Sequence, residues 1–484
     1  MIPAVATIDR AQRRSAARSR SGDILVAGTI GLVAWGALSF GAVYPWGYWP
    51  LIIGCALIGS LELAFIRPAS TEWWRLPTAL AAVAMVVALQ LVPIAAPRLA
   101  AWSPARDAFL RQQDVLYALS GGAASHALSI DPHATRIALA CLVAFGLFLA
   151  GTTRLLSVAG PGSFVRGLAA FGLLLALFAI VQNMAFAGRS GEGHVLYIYG
   201  FWPDPYVNKP FGPFINKNNF AGWMIMAMPL VLGYAIATAS RSWRDVAPDW
   251  RNRVLWLSSQ RAARTIFASV AAFGMGIALV MSMSRSGMVA AGVVIVSAAW
   301  WAPGRSPRRR HRLVPVAVSL VLLASLSLWV GTDAIAQRFS DGTEATMRGR
   351  FGAWKDATTI VKDFPILGVG ANAFSTAMLH YQRHDQLNFW EEAHNDYLQI
   401  AAEGGAVLSV FALVAMAIAA AGVRARVREE ANASTAWLRL GAVTSLAAIA
   451  LQEMVEFSLQ IPGNAVLFAA VLAVALHHAP PRRG

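Results

Sequence analysis

The chain has 484 residues, of which 57% are hydrophobic and only 13% are charged, and its formal net charge is +15. A soluble globular protein has about 25% charged residues, so this composition excludes an ordinary soluble enzyme. The cations lie between apolar runs rather than in one basic domain, which argues against nucleic-acid binding. Cys55 and Cys141 both fall inside apolar runs, so they indicate no disulfide framework.

Apolar runs of membrane-spanning length predict about twelve transmembrane helices, and therefore an all-α polytopic membrane protein with a large, partly helical periplasmic loop. The first run is too long for a signal peptide, and no small-residue cleavage site follows it, so we expect a retained first helix. The predicted spans are residues 24–43, 49–66, 76–95, 136–153, 164–186, 218–240, 265–283, 287–303, 313–331, 400–422, 438–456 and 464–478.

The positions of the arginines orient these helices. A cytoplasmic N-terminus places short arginine-dense connections, such as residues 305–312, in the cytoplasm, as the positive-inside rule requires. Both termini are then cytoplasmic, in a bacterial inner-membrane protein with long periplasmic loops at about 96–135, 187–217 and 332–399. The predicted divisions are an Arg-rich cytoplasmic N-terminus (1–23), N-terminal transmembrane helices with a periplasmic loop (24–204), a second transmembrane domain (205–478) and a cytoplasmic tail (479–484).

The largest predicted loop, residues 332–399, contains an amphipathic segment. Its pattern is typical of a helix that lies along a membrane surface. Pro365 and the glycines that follow it are expected to end this helix. The apolar positions of the segment are Phe351, Trp354, Ile360 and Phe364.

Arg285 is a candidate functional residue because it lies in the turn Ser-Met-Ser-Arg-Ser-Gly between two apolar runs. Charged side chains at membrane depth are costly and frequently functional. The guanidinium could point into a cavity and hold an anionic group. It could equally be an interfacial arginine that extends to lipid headgroups.

Arg348 and Arg350 precede the amphipathic segment, at or near a predicted helix start where backbone N–H groups also favour anions. A guanidinium can bind phosphate through two parallel hydrogen bonds, which makes these residues candidates for a phosphate site. Taken alone, they could also be ordinary surface charges.

His394 lies in the segment Trp-Glu-Glu-Ala-His-Asn-Asp-Tyr-Leu-Gln, which leads into an apolar run. If this segment is helical, Glu391 could bond one imidazole nitrogen and leave the other free to accept a proton. Asn395 and Tyr397 add polar groups at the same boundary. A histidine near a helix start can instead be structural.

Further polar patterns are less specific. Lys217 and Asn218 lie at a predicted helix start and indicate a sugar or phosphate surface, although helix capping would explain one asparagine. His380 and His384 have part of a zinc-motif spacing, but the motif's glutamate is missing and Arg383 would repel a dication. The sequence has no P-loop, dinucleotide fingerprint or nucleophile elbow, so we do not expect it to hydrolyse ATP.

Four segments follow one another between about residues 205 and 410: FGPFINKNNFAGWMIMAMPL, SMSRSGMVAAG, RGRFGAWKDATTIVKDFPILGVGANAF and EEAHNDYLQIAAEGG. In their order, their spacing and their common outward position, they resemble the O-antigen ligase and O-antigen polymerase family of membrane glycosyltransferases. The first 200 residues share only a series of hydrophobic helices with that family.

The resemblance implies an enzyme that moves a glycan from an undecaprenyl-diphosphate carrier to an acceptor sugar hydroxyl at the periplasmic face. The acceptor is the lipid A core in ligases and a growing polysaccharide in polymerases, and the sequence leaves both open. The resemblance implies no metal and no other cofactor, and we expect contacts with membrane lipids but not with nucleic acid. The alternative from another class is a transporter or flippase of a lipid-linked glycan, although no half-to-half symmetry is visible.

The family's catalytic residues correspond by position to Arg285, Arg350 and His394, with Arg348 a near neighbour of Arg350. In such a reaction the arginines would stabilise charge on the diphosphate leaving group, and the histidine would take the proton of the acceptor hydroxyl. The predicted substrate-binding residues are Arg348, Lys217, Asn218, Glu391, Asn395 and Tyr397.

Overall fold

The computed structural model describes residues 22–68, 72, 74–119, 125–186, 197–203, 210–242, 250–301, 343–386 and 388–478. Within these ranges the chain is mainly helical, and it is an all-α polytopic membrane protein with two short β-ribbons. The predicted span at 313–331 lies outside the described residues.

The N-terminal half contains eight helices within the described ranges, and a small extramembrane unit interrupts them after the third. The elements are α1 Gly22–Leu38, α2 Pro45–Phe65, α3 Arg75–Leu89, β1 Pro93–Ala95, α4 Ala96–Trp102, α5 Pro104–Gln113, α6 Val115–Leu119, β2 Ser125–Ala127, α7 Pro132–Ala159, α8 Gly162–Phe186, β3 Tyr197–Ile198 and β4 Trp202–Pro203. Strands β1 and β2 pair in antiparallel fashion, as do β3 and β4.

The C-terminal half continues with long helices and a second extramembrane unit. Its helices are α9 Lys217–Ser242, α10 Trp250–Leu257, α11 Gln260–Met281, α12 Arg285–Trp301, α13 Thr343–Asp363, α14 Phe374–Tyr381, α15 Asp396–Glu429, α16 Ala433–Gln452 and α17 Pro462–Leu476. A 3-10 turn, Ser458–Gln460, precedes α17.

Seven helices in the described part of the chain are long and apolar enough to cross a membrane, namely α2, α7, α8, α9, α11, α15 and α16. Helices α1, α3 and α17 are apolar but shorter. The prediction of about twelve membrane spans is therefore not confirmed, although apolar helices occupy most of the predicted positions.

Polar caps make two helices longer than their apolar runs predict. The Asp131 side chain accepts a hydrogen bond from the Ala134 N–H at 3.0 Å, so α7 begins at Pro132 rather than at residue 136. Asn395 likewise accepts from the Leu398 N–H at 3.1 Å, so α15 begins at Asp396 rather than at residue 400. Side-chain oxygens at such positions satisfy otherwise unpaired N–H groups of the first turn.

Helix α9 is the centre of the bundle, packed among α8, α11 and α16. It crosses α16 at two glycines. A Cβ on Gly233 would lie 2.5 Å from the Trp437 carbonyl oxygen, and a Cβ on Gly441 would lie 2.6 Å from that of Pro229. Small residues let membrane helices approach this closely. The crossing fixes the start of α9 relative to the end of α16.

The second extramembrane unit packs on protein along the apolar face of α13. Ile360 and Phe364 are buried in one cluster with Phe374 and Met378 of α14, so these side chains do not face lipid. Phe351, in contrast, is 50% exposed. Helix α13 ends at Asp363, which confirms the predicted stop before Pro365.

A buried glutamine ties this unit to the bundle. The Gln90 side-chain amide donates to the carbonyl oxygens of Leu367 at 2.7 Å and Glu403 at 2.9 Å, and its oxygen accepts from the Ala371 N–H at 2.9 Å. Buried amides that satisfy three partners hold their segments in one geometry. The loop after α13 is thereby fixed against α3 and α15.

Candidate active site

A buried carboxylate, Glu456, lies at the centre of the candidate site. Its Oε1 accepts hydrogen bonds from Arg350 Nη2 at 2.7 Å, Asn218 Nδ2 at 2.9 Å and Ser286 Oγ at 3.1 Å. The Glu456 side chain is only 2% exposed. One carboxylate therefore joins α13, the start of α9 and the start of α12.

The backbone places Glu456 there because α16 ends at Gln452 and the chain then turns beneath the start of α9. Gln452 Nε2 donates to the Asn218 carbonyl at 3.2 Å, and Asn464 Nδ2 donates to the Asn219 carbonyl at 2.9 Å. These bonds clamp the segment that carries Glu456 to the first turn of α9.

His394 lies on the other side of the same carboxylate. Its Nδ1 is 3.5 Å from Glu456 Oε2, which allows charge attraction but is too long for a well-formed hydrogen bond. The imidazole packs edge-on against the rings of Trp390 and Phe457, with centroid distances of 5.3 Å and 4.6 Å. The side chain is 21% exposed, so the ring remains accessible on one edge.

The backbone around His394 is held on both sides. Trp354 Nε1 donates to the Ala393 carbonyl at 2.9 Å, and the Ala393 N–H donates to Gln399 Oε1 at 2.9 Å. His394 itself has a φ of +50°, a left-handed conformation that costs a non-glycine residue roughly 1–2 kcal/mol. The neighbouring bonds maintain this strained backbone, and strain of this kind is common at functional sites.

The electrostatics of the cluster favour an ionised Glu456. Burial by itself raises the pKa of this carboxyl, but the His394 imidazole and the Arg350 guanidinium outweigh it and bring the pKa below its ordinary value. The Arg350 side chain is only 11% exposed. The attraction between Arg350 and Glu456 is therefore little screened by solvent.

The structure separates the two neighbouring arginines of α13. Arg350 is partly buried and contacts Glu456, whereas Arg348 is exposed. Residues two positions apart on a helix project in different directions, so the two cannot both face the cluster.

Arg285 is the first residue of α12 and is partly buried. The adjacent Ser286 donates to Glu456, so Arg285 begins its helix at the same end of the bundle as His394. The turn before it is tight, since Met283 has a φ of +52°. The structure thus brings Arg285, Arg350 and His394 to one end of the bundle.

The remaining predicted binding residues divide into two groups. Lys217 begins α9 beside Asn218, and Asn218 contacts Glu456. Asn395 caps α15, and the Tyr397 hydroxyl donates to the Ala450 carbonyl at 2.9 Å, so these two have structural contacts. Their role in substrate binding stays a prediction.

The predicted pairing of Glu391 with His394 is wrong. Residues 388–395 are not helical, so the three-residue spacing does not bring the two side chains onto one face. Glu391 is exposed, and no hydrogen bond joins it to His394 among the contacts of the described residues. Glu456, from a distant part of the chain, occupies the position expected for Glu391.

A second group of carboxyls lies behind the site. Gln399 Nε2 donates to Glu392 and, at 3.2 Å, to Glu403, while the Asp396 N–H donates to the Glu453 carbonyl at 3.1 Å. Burial and neighbouring carboxyls raise the pKa values of Glu392 and Glu453. Their protonated forms are favoured, which reduces repulsion of the ionised Glu456.

The two histidines of the incomplete zinc pattern have other contacts. His384 Nδ1 is 2.8 Å from Asp356 Oδ1, and His380 packs edge-on against Phe109 and Tyr381. In the described ranges, no group of three or more His, Cys, Asp or Glu side chains is placed to hold a metal ion.

A known protein family matches the part of the chain that contains three of the site residues. Residues 270–413 match the family model described as O-antigen ligase, which confirms the resemblance drawn from the sequence segments. A search of curated proteins finds no match to the chain. The matched range contains Arg285, Arg350 and His394, whereas Asn218 and Glu456 lie outside it.

Proposed function

Residues 270–413 of this chain belong to the O-antigen ligase family, and on that premise we propose that it is a glycosyltransferase of the bacterial inner membrane. It takes a glycan from an undecaprenyl-diphosphate carrier and joins it to an acceptor sugar hydroxyl at the periplasmic face. The observation that best supports this proposal is the contact of Glu456 with both Arg350 and His394.

The proposed reaction is a displacement at the anomeric carbon of the donor. The acceptor oxygen forms a bond to that carbon as the bond from the carbon to the phosphate oxygen breaks. The electron pair of the broken bond leaves with the lipid diphosphate, and the acceptor proton moves to a nitrogen of His394. A histidine is suited to this step because its ordinary pKa lies near neutrality.

Arg285 and Arg350 are proposed to stabilise the leaving diphosphate. Positioned cations lower the barrier most where charge develops in a site from which water is excluded. Arg350 meets this condition because its side chain is 11% exposed and its position is fixed by Glu456. With a neutral His394, the two arginines and Glu456 have a net charge of +1, which favours a diphosphate.

Glu456 is proposed to position His394 and to stabilise the imidazolium that forms during transfer. Its carboxylate is on the Nδ1 side of the ring, which leaves Nε2 for the acceptor proton. The same carboxylate holds Arg350, so the base and the phosphate-binding cation share one anchor. This shared anchor favours a fixed distance between the reacting ends of donor and acceptor.

The distribution of arginines supports a periplasmic site. The candidate site lies where α9, α12 and α15 begin and α16 ends. The opposite ends of these and neighbouring helices are rich in arginine, which the positive-inside rule assigns to the cytoplasm. Arginines at that end include Arg154, Arg241, Arg424, Arg426 and Arg428.

The test is glycan transfer by the purified protein in EDTA, without ATP, from a carrier-linked donor to a lipid A core or to a second carrier-linked glycan. His394→Asn should abolish transfer while expression and membrane insertion stay normal, since asparagine tolerates the left-handed backbone at this position. Arg350→Ala should be severely impaired, and Arg348→Ala, on the exposed face of α13, should be milder.

The acceptor that is used distinguishes a ligase from a polymerase. Normal transfer by His394→Asn would refute the proposed base. Activity that is lost in EDTA and restored by Zn²⁺ would instead support metal chemistry at His380 and His384.

A further inference from the structure

A cavity of about 580 Å³ lies at the end of the bundle opposite to His394. Its walls come from the connection between α7 and α8, the last turns of α9, and the connection between α15 and α16. Helix α9 begins at the candidate active site and ends at this cavity, so the two sites are separated by the length of α9.

One wall of the cavity holds a buried guanidinium that is not fully satisfied. Arg439 is 2% exposed, is paired with Glu430 at 3.1 Å, and donates to the carbonyl oxygens of Ala475 and His477. Its Nε has no hydrogen-bond partner among the described residues. Arg439 therefore adds a buried positive charge to this wall, although its Nε does not reach the cavity surface.

Two further arginines line the same space. Arg241 donates from Nε to Ser434 Oγ, and this bond does not use its two terminal nitrogens. Arg426 pairs with Glu429 at 2.5 Å, and the Glu429 side chain is 61% exposed, so solvent weakens that pair. Terminal guanidinium nitrogens placed in this way can bind phosphate oxygens.

The balance of charge in the cavity favours an anion. Its described lining residues include three arginines and two glutamates, which gives a net charge of +1. His478 adds no charge at neutral pH because burial and neighbouring arginines hold its pKa below the ordinary value. Asn432, which caps α16, and Thr435 in its first turn add polar groups to the same wall.

The rest of the lining is apolar. Tyr234, Ala237 and Leu438 contribute apolar surface beside the polar groups. The cavity also lies at the arginine-rich ends of membrane helices, where lipid headgroups are located and where anionic lipids are attracted. A ligand that matches both surfaces has a phosphate group next to a hydrocarbon chain.

We propose that this cavity binds the phosphate group of an anionic membrane phospholipid, with Arg241 and Arg426 as its donors and the buried charge of Arg439 beside them. Free phosphate has the same recognition chemistry but would leave the apolar part of the lining unfilled. The bound headgroup connects the ends of α9, α15 and α16, so it should stabilise the folded protein.

The experiment measures thermal unfolding of the full-length, delipidated protein in detergent after addition of phosphatidylglycerol, phosphatidylcholine or inorganic phosphate. Phosphatidylglycerol should raise Tm by roughly 2–4 °C, and phosphatidylcholine should raise it much less. Arg241→Gln and Arg426→Gln should each remove most of this rise. Arg428→Gln is the matched control, since Arg428 is an exposed arginine of the same helix that does not line the cavity.

The outcomes are distinct. A rise with phosphatidylglycerol alone, kept in Arg428→Gln and lost in the two cavity variants, supports the lipid as the ligand. An equal rise with inorganic phosphate supports the phosphate site but identifies the free anion as its source. Equal rises with both lipids, no rise with any ligand, or a rise that survives in Arg241→Gln and Arg426→Gln overturns the proposal.

Discussion

Replacement of Glu456 by glutamine tests whether this carboxylate acts on the reaction through His394. Glutamine keeps an oxygen that can accept from Arg350, Asn218 and Ser286, but it removes the negative charge. Alanine would be a poorer choice, because a buried cation left without its partner typically costs about 3–5 kcal/mol of stability. Glutamine also leaves Arg350 without its counter-ion, but it keeps the three hydrogen bonds, so this variant should fold with a smaller loss of stability than alanine causes.

The expected effect on transfer follows from the geometry. A carboxylate and an imidazolium 3.5 Å apart attract each other by about 5 kcal/mol at an effective dielectric constant of about 20. Because the His394 side chain is 21% exposed, solvent reduces this energy, and we expect a loss of about 2–4 kcal/mol. The corresponding fall in kcat for Glu456→Gln is roughly 30- to 1,000-fold.

The assay compares kcat and KM for transfer from a carrier-linked glycan, with folding checked by circular dichroism. A positioning role predicts that kcat falls more than KM rises, because the imidazolium forms only during the reaction. Asp363→Asn is the matched control, since Asp363 is an exposed carboxylate at the end of α13 and lies outside the cluster, and it should keep nearly normal activity. Wild-type kcat in Glu456→Gln, or an equal loss in Asp363→Asn, would refute the reasoning.

Three further changes give separate readouts. Arg285→Lys keeps the charge but loses the paired hydrogen bonds, so kcat/KM should fall roughly tenfold or more in the transfer assay. Burial and the carboxyl of Asp396 raise the pKa of Glu453 above 4.5, so the stability it contributes is complete below that pH and is lost as pH rises through the raised pKa. As the pH rises above about 5, the Tm of Glu453→Gln should therefore fall less than the Tm of the wild type. Gly441→Val places a Cβ 2.6 Å from a carbonyl oxygen and should cost about 1–3 kcal/mol in denaturation experiments.

Each of these changes has an outcome that contradicts it. Wild-type activity of Arg285→Lys would show that point charge alone is sufficient at that position. An unchanged pH dependence in Glu453→Gln would mean that other groups control it. Gly292→Val is the control for the helix crossing, since no described atom of another segment lies within 4 Å of its added Cβ. An equal loss there would exclude the crossing as the cause.

Short-range pattern was sufficient to predict most of the helices and to predict that the candidate residues lie at one common end of the bundle. Arg285 begins a helix at a tight turn, as the abrupt change between two apolar runs indicated. Arg350 and His394 were identified by a family resemblance that depends on local segments, and the match over residues 270–413 confirms that resemblance. Their proposed roles in the reaction stay predictions.

Glu456 was missed because its partners are distant in the sequence. It falls at the end of the predicted span 438–456, whereas Asn218 and Ser286 come from helices that begin more than a hundred residues earlier. A signal was present, since Glu453 and Glu456 are acidic residues at the end of an apolar run, where charges are costly. Only the close crossing of α9 and α16 shows which residues that carboxylate contacts.

The packing within the extramembrane units also could not be predicted from hydrophobic periodicity. The amphipathic pattern of α13 predicted a helix and its end correctly, but an apolar face has the same spacing whether it meets lipid or protein. Its burial against α14 depends on a loop held by Gln90, which lies nearly three hundred residues earlier in the chain. Such a tertiary contact leaves no local trace in the sequence.

The left-handed backbone at His394 has a consequence for protein engineering. Glycine adopts this conformation without the steric cost that histidine has, and the buried charges beside it could be exchanged for apolar groups with little loss or even a gain in stability. Selection for heat resistance alone would therefore favour replacements at the proposed base and its carboxylate partner. A library designed to make this enzyme more robust should hold positions 394 and 456 constant and vary the lipid-facing surface instead.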